Sequence, residues 1–526
     1  MQKKNRYGLT LAFWIALIGV LAIVVLSLIF PNAFERLTAS IRASISVNFG
    51  WFYLLSTLGL IFVCVFLMLS PAGKIRLGDP HTAPEYSTIS WISMLFSAGM
   101  GITLVFYGAS EPLSHYAIQA PEAAEYTQEA LRDAFKYTFL HYGIHGWAIY
   151  AIVGLALAYF QFRKKEPALF SSTLKPLFGR KMDGSLGKIV DSLTIFATIT
   201  GVATSLGAGS MQINGGLNFL VGTPQNFKIQ LIIIIIATVL FMTSAVSGLD
   251  KGVKLLSNGN MIMAILLMIG AVIIGPSVRM FDILSESIGA YMQDFLRIST
   301  QTGVGNPAQQ KWVGDWTILF LAWWLAWSPF VGLFIARISR GRTVREFVGY
   351  VLLVPTLFSI LWFTIFGVLS INALDTNPNL IEYPLESLLF GTFEQYPMTT
   401  VMSIIAIFLV FSFFITSADS ATFVLSMQSE NGTLHPQNWI KILWGLILAL
   451  IAAVLLRFGG INTLQNVMII VAFPFAILLI IITVSLLKEL HYERGKMGLT
   501  LDPKRYPEKD SPFRSYEDTD EDDDEV

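Results

Sequence analysis

The chain has 526 residues, of which 54% are hydrophobic and 13% charged, with a formal net charge of −1. That charged share is about half the roughly 25% of a soluble domain. Apolar runs of about twenty residues recur from end to end without polar linkers, and mean hydropathy is +0.62. A nuclear, secreted or soluble cytoplasmic enzyme is excluded, and nothing points to nucleic acid; the composition is that of an all-α polytopic membrane protein. One cysteine, Cys64, excludes a disulfide framework and a cysteine-based metal site.

A hydrocarbon core about 30 Å thick needs roughly 20 apolar residues per helix. On that measure the chain predicts twelve spans: 8–30, 51–70, 91–110, 136–161, 189–221, 228–246, 258–275, 313–338, 346–371, 400–425, 438–457 and 463–487. The first follows Lys3, Lys4 and Arg6 like a signal peptide, but its apolar stretch is too long and no small-residue cleavage site follows, so it reads as a membrane helix. With both termini inside, the inner segments hold 26 of the 35 lysines and arginines, which orients the chain with cytoplasmic N- and C-termini.

Two segments read differently. Residues 280–298 place Phe281, Leu284, Ile288, Tyr291, Met292 and Phe295 on one helical face, as in an amphipathic helix on the outer surface. The tail from Lys488 carries 7 basic and 13 acidic residues and reads as a solvated segment, either regulatory or merely solubilising.

The chain has no Walker A or HExxH pattern, so ATP coupling and zinc hydrolysis lack a basis. His141 and His145 sit one turn apart, yet no acidic partner or third ligand is visible beside them, which favours packing or hydrogen bonding over a metal. Two spans look broken: one at Ser97-Ala98-Gly99-Met100-Gly101-Ile102-Thr103, the other at Trp327-Ser328-Pro329 with Gly332. Transporters interrupt helices near the midplane to free carbonyls and helix ends for ions and substrates; glycines also simply let helices pack closely. Five spans separate the two breaks. The layout is then 1–90 as two helices outside a repeat, 91–275 as one five-helix half, 276–312 as surface helix and loop, 313–487 as a second, inverted half, and 488–526 as tail.

Trp323, Trp324 and Trp327 crowd one turn, and the fourth span adds Tyr142, Trp147 and Tyr150. A quaternary ammonium cannot donate a hydrogen bond, so a cage of aromatic faces is its natural site. An aromatic belt at the membrane interface is the alternative, although these tryptophans fall in mid-span.

The segments Gly99-Met100-Gly101-Ile102, Phe106-Tyr107-Gly108, Glu111-Pro112, Trp147-Ala148-Ile149-Tyr150, Trp323-Trp324 to Gly332, Ala336-Arg337-Ile338-Ser339-Arg340-Gly341-Arg342 and Phe413 to Ser420 resemble the betaine/choline/carnitine transporter family. The resemblance covers about residues 8–490 and is nearest to bacterial glycine betaine carriers used in osmoprotection. It implies a LeuT-like inverted-repeat fold, a homotrimer in the bacterial cell membrane, and sodium-driven import of trimethylammonium compounds. It places the substrate among Tyr142, Trp147, Tyr150, Trp323, Trp324 and Trp327. It assigns sodium to the hydroxyls of Thr416 and Ser417 and the carbonyls of Ser97, Met100 and Phe413. A second sodium site matches at Thr198 and Phe330, but Val202 stands where a hydroxyl is expected. Tyr142 replaces a common tryptophan, and Thr103 takes the place of a glycine in betaine carriers and of an aspartate in proton-coupled choline carriers. The expectation is therefore a sodium symporter of glycine betaine or a relative, with no cofactor beyond the coupling ion. The alternative is a proton-coupled or exchanging choline or carnitine carrier.

Overall fold

A computed structural model describes residues 9–247 and 249–499. The acidic end of the tail, 500–526, and the basic start, 1–8, lie outside the described residues. All regular elements among the described residues are helical, with one isolated bridge between Arg76 and Thr343. In chain order they are α1 (Leu11–Ile29), α2 (Pro31–Leu69), α3 (Thr88–Gly99), α4 (Ile102–Ala117), α5 (Gln128–Tyr142), α6 (Ile144–Ala158), the short α7 (Lys175–Phe178), α8 (Ser185–Val221) and α9 (Phe227–Ser247). There follow α10 (Leu249–Ile274), α11 (Ser277–Thr300), α12 (Pro307–Val313), α13 (Leu319–Ile338), α14 (Val344–Ala373), α15 (Leu388–Glu394), α16 (Thr399–Ser429) and α17 (Asn438–Lys496).

Ten helical segments among the described residues are long and apolar enough to cross a membrane. Two differences separate that count from the predicted spans. α17 covers both 438–457 and 463–487 and turns at Gly460, whose φ of 61° and ψ of −162° suit glycine alone. Residues 91–110 fall in two helices, α3 and α4, of 12 and 16 residues. At about 1.5 Å per residue neither spans the hydrocarbon alone. α2 begins at Pro31 instead of residue 51, with proline at its first turn where no amide partner is lost.

The predicted break in the eighth span is absent. α13 runs through Pro329 because Ser328 Oγ donates to the Leu325 carbonyl at 2.8 Å. That carbonyl lies four residues before Pro329, so it is the acceptor that proline leaves without an N–H. Gly332 is a packing residue: a Cβ there would stand 2.4 Å from Val153 of α6. A break that the composition did not announce lies in the fourth span, where Gly143 (φ −96°, ψ −140°) separates α5 from α6.

α13 packs between α6 and α8, and α8 is covered in turn by α16 and α17. The surface helix forms as expected, but its apolar surface is wider than one stripe. Leu284, Tyr291 and Phe295 turn inward, while Phe281, Ile288 and Met292 stay exposed. Its charged edge is tied to α5: Asp294 Oδ2 accepts from Arg297 at 2.8 Å and from Lys136 at 2.9 Å. These two cations, Arg297 foremost, hold the Asp294 carboxyl down at about 2.

The Ser328–Leu325 bond makes a direct prediction. Ser328→Ala should cost about 1–3 kcal/mol by leaving a buried carbonyl unpaired, and Ser328→Ala with Pro329→Ala should recover most of it by restoring the amide. Thermal unfolding of the purified protein in detergent reads both.

Candidate functional site

α3 stops at Gly99, and Met100 (φ −97°, ψ 109°) and Gly101 (φ −110°, ψ −160°) are extended before α4 resumes. A helix leaves its last four carbonyls and first four amides without intrahelical partners, so this junction gathers unpaired backbone dipoles inside the bundle. Two indoles close on it. A Cβ on Gly99 would lie 2.2 Å from the Trp147 ring, and one on Gly101 2.4 Å from the Trp327 ring. The glycines are therefore required by the aromatic residues pressed against the break.

On one side Trp147, Tyr150 and Trp324 form a buried box with ring-centroid distances of 5.4 Å, 5.6 Å and 4.7 Å. Trp324 seats against Gly146, where a Cβ would stand 2.2 Å from the indole. Its Nε1 donates to the His141 carbonyl at 2.7 Å, an acceptor freed by the interruption of the helix at Gly143. Tyr142 stands at the rim, 6.5 Å from Trp324 and 4.1 Å from Phe363, and its hydroxyl donates to the Thr103 carbonyl at 3.4 Å. The Trp147 indole N–H is buried without a hydrogen-bond partner.

Trp323 and Trp327 face the other way, onto α8. Trp327 Nε1 donates to the Gly201 carbonyl at 3.0 Å and Trp323 Nε1 to Ser205 Oγ at 3.1 Å. Trp327 thus lines the opposite wall of the break. Trp323 turns from the box toward Tyr107, 6.2 Å away. The six aromatic residues named from the sequence thus stand on two sides of the break. Tyr107 also lines a cavity of about 700 Å³ with Arg42, Gln119, Asp315, Trp316 and Gln465. Phe320 and Phe363, both against Tyr142, were missed by the sequence reading. Phe320 was within reach of it, because Trp312, Trp316, Phe320 and Trp324 repeat every four residues along one helical face.

The oxygens of α16 lie where the break can use them, since α16 packs on both α3 and α4. Thr416 Oγ1 donates to the Ser412 and Phe413 carbonyls and accepts from Asn260 Nδ2 at 3.4 Å. Ser417 Oγ is buried with no hydrogen-bond partner among the described residues. Ser97 belongs to the last turn of α3 and Met100 to its extended exit. Hard oxygens without net charge suit a sodium ion. The second group is weaker. Thr198 Oγ1 donates to the Thr194 carbonyl at 2.9 Å and keeps its lone pairs, whereas Val202 is fully buried and has no oxygen, and Phe330 offers its ring to Trp327 at 5.1 Å. One turn further on, Ser205 supplies the nearest hydroxyl in sequence on that face of α8.

The sequence profile of the BCCT, betaine/carnitine/choline family transporters, matches residues 11–495. A glycine betaine transporter, OpuD, of Bacillus subtilis is 50% identical, the match covering 94% of this chain and 97% of that one. An ectoine/hydroxyectoine transporter of Virgibacillus pantothenticus is 39% identical over 91% and 96%. An osmo-dependent choline transporter, BetT2, of Acinetobacter baylyi is 36% identical over 93% and 72%. Among solved structures, a substrate-bound, outward-open Na+-coupled sialic acid symporter aligns with a TM-score of 0.45 at 14% identity, covering 81% of this chain and 86% of that one. Nothing further is drawn from that distant likeness.

Gly146→Ala should displace Trp324 and cost about 1–3 kcal/mol of stability through overpacking, read by thermal unfolding together with a change in tryptophan emission. Gly59→Ala, where a Cβ meets nothing within 4 Å, should change neither for the worse.

Proposed function

Because the chain belongs to the betaine/carnitine/choline transporter family, we propose that it imports glycine betaine, or a closely related quaternary ammonium solute, across the bacterial cell membrane by symport with sodium. The observation that carries this reading is the box of Trp147, Tyr150 and Trp324 beside the Met100–Gly101 break. A trimethylammonium group has charge but no N–H, so aromatic faces in a dry site are what can hold it. Its carboxylate needs donors on the same spot. The unpartnered indole N–H of Trp147 and the N-terminal end of α4 are two such sources. The 50% identical relative named for glycine betaine supports the same substrate.

Sodium coupling rests on the orphan hydroxyl of Ser417, with Thr416 beside it and the unpaired carbonyls of α3 opposite. Two inverted five-helix halves, 91–275 and 313–487, assembly as a homotrimer and cytoplasmic termini belong to the same proposal.

Labelled-substrate uptake into proteoliposomes, with glycine betaine, choline, carnitine and ectoine compared under imposed sodium or proton gradients, tests the whole reading. Betaine uptake driven by sodium is expected; uptake of choline driven only by protons would overturn it. Trp324→Leu should raise the uptake constant about tenfold or more, as loss of a desolvated cation–π partner is worth roughly 2 kcal/mol. Trp14→Leu, an exposed tryptophan on α1, should not change it.

Coupling makes a second, separable prediction. Thr416→Ala with Ser417→Ala should abolish sodium-driven uptake while the protein still inserts and elutes as a folded species. Undiminished uptake by that variant sinks the sodium assignment. Val202, which has no oxygen to offer, predicts fewer than two sodium ions per substrate, which a reversal-potential measurement counts.

A further inference from the structure

α4 and α5 bring together three side chains that the transport reading does not use. Glu111 and His115 lie one turn apart on α4, and His141 reaches them from the last turn of α5. All three are fully buried. Glu111 Oε1 stands 2.5 Å from His141 Nδ1 and 3.3 Å from His115 Nε2, and one ligand atom from each residue lies within 4.8 Å of the other two. The acidic partner and third ligand that looked absent beside His141 in sequence are thus supplied by a different helix. His145 has no part in the cluster: its Nε2 lies 2.7 Å from Ser299 Oγ.

We propose that Glu111, His115 and His141 form a binding site for a first-row transition cation of the zinc type, independent of the aromatic box and not resting on the transport reading. Two imidazoles and one carboxylate with a free fourth position are a known donor set for such an ion. Metal–ligand bonds of about 2.0–2.2 Å in a tetrahedron set ligand atoms about 3.3 Å apart. The Glu111–His115 separation already has that value, and the Glu111–His141 contact needs to open by less than 1 Å. The surroundings are prepared for the same chemistry. With Nδ1 of His141 on the metal, its Nε2–H donates to Thr317 Oγ1, 2.9 Å away, which orients the ring as outer partners of metal-bound histidines do. Glu111 Oε2 is buried without a partner in normal hydrogen-bond geometry, although the Thr138 hydroxyl is close enough to bear on the carboxylate. On binding, Glu111 Oε1 and the two imidazole nitrogens exchange their contacts with one another for bonds to the metal, and Oε2 is left to hydrogen-bond.

Trp316 packs on the His115 ring at 4.5 Å and also lines the 700 Å³ cavity, so one indole, held by its hydrogen bond to Gln119 Oε1, separates the cluster from that cavity. Once bound, the ion would clasp the second half of the broken span to the end of α5, beside the Gly143 break.

The test uses the full-length protein, purified with chelator and then titrated with ZnCl2 against a chromophoric chelator, and separately with CoCl2. One equivalent of zinc per chain is expected, with the visible absorption of four-coordinate cobalt and a rise in melting temperature that grows with zinc concentration. His115→Gln and Glu111→Gln should each weaken binding by at least about tenfold and remove the rise. Replacing the exposed His81, His435 and His491 together with glutamine should leave all three readouts intact. Absence of stoichiometric binding, or binding lost in the surface-histidine variant and kept in His115→Gln, would overturn the site. The cobalt spectrum of the unaltered protein decides the point even if a cluster variant fails to fold.

Discussion

The demand that every backbone amide and carbonyl find a partner away from water governs this protein more than any single side chain. In hydrocarbon that demand is met by unbroken helices, and irregular backbone survives only where protein or a polar cavity surrounds it. The chain interrupts its helices at Met100–Gly101, at Gly143 and at Gly460. The first two lie against each other's aromatic neighbours. The freed His141 carbonyl is taken by the Trp324 indole, and the Met100–Gly101 junction is enclosed by Trp147 and Trp327. Each of these two breaks is thus both a source of polar groups and a place where large aromatics approach the backbone.

How much of this could be read in the sequence depended on whether the cause was local. Gly99 and Gly101 flank one residue in an otherwise apolar run, and such a pair marks a break directly. Gly143 and Gly146 stand three residues apart, a spacing common in continuous helices, and the tertiary partner at their break is visible only in the fold: Trp324 packs on Gly146 and takes the His141 carbonyl. Pro329 shows the converse. Proline in mid-span predicts a break, but the preceding serine repairs it, a remedy that depends on a rotamer and not on composition. Membrane spans followed from hydropathy because lipid solvation acts on every residue alike, whereas hydropathy does not mark the start of α2 at Pro31, ahead of a polar stretch.

The aromatic residues teach the same lesson at finer scale. Spacing correctly crowded Trp323, Trp324 and Trp327 onto one turn of α13. A turn of helix covers the full circle, however, and α13 is held between α6 and α8. Trp324 therefore joins Trp147 and Tyr150, while Trp323 and Trp327 anchor on Ser205 and Gly201. Which indole belongs to which wall is a property of the neighbours. The Glu111–His115–His141 cluster is a sharper case, because its members come from two helices and no window along the chain contains all of them.

The two half-helices share α14 as a neighbour, through Phe96–Phe358 and Trp91–Tyr350 for α3, but their side-chain hydrogen bonds go to different elements. α3 is fastened at its start: Trp91 Nε1 donates to Ser339 Oγ at 2.9 Å, and the Arg342 guanidinium lies 4.6 Å from the Trp91 ring while bonding Thr88 and the Tyr86 carbonyl. α4 is fastened elsewhere, by Trp362 on the Leu104 carbonyl, Ser370 on the Ala109 carbonyl and His141 on Glu111. The first set belongs to the end of α13 and the loop after it, the second to α14 and α5. Had the span been one continuous helix, any displacement of α14 relative to the end of α13 would have had to bend a hydrogen-bonded rod. With two extended residues between the halves, each can follow its own partners at the cost of a few backbone torsions. The junction those torsions belong to lies between the aromatic box on one side and α16 on the other.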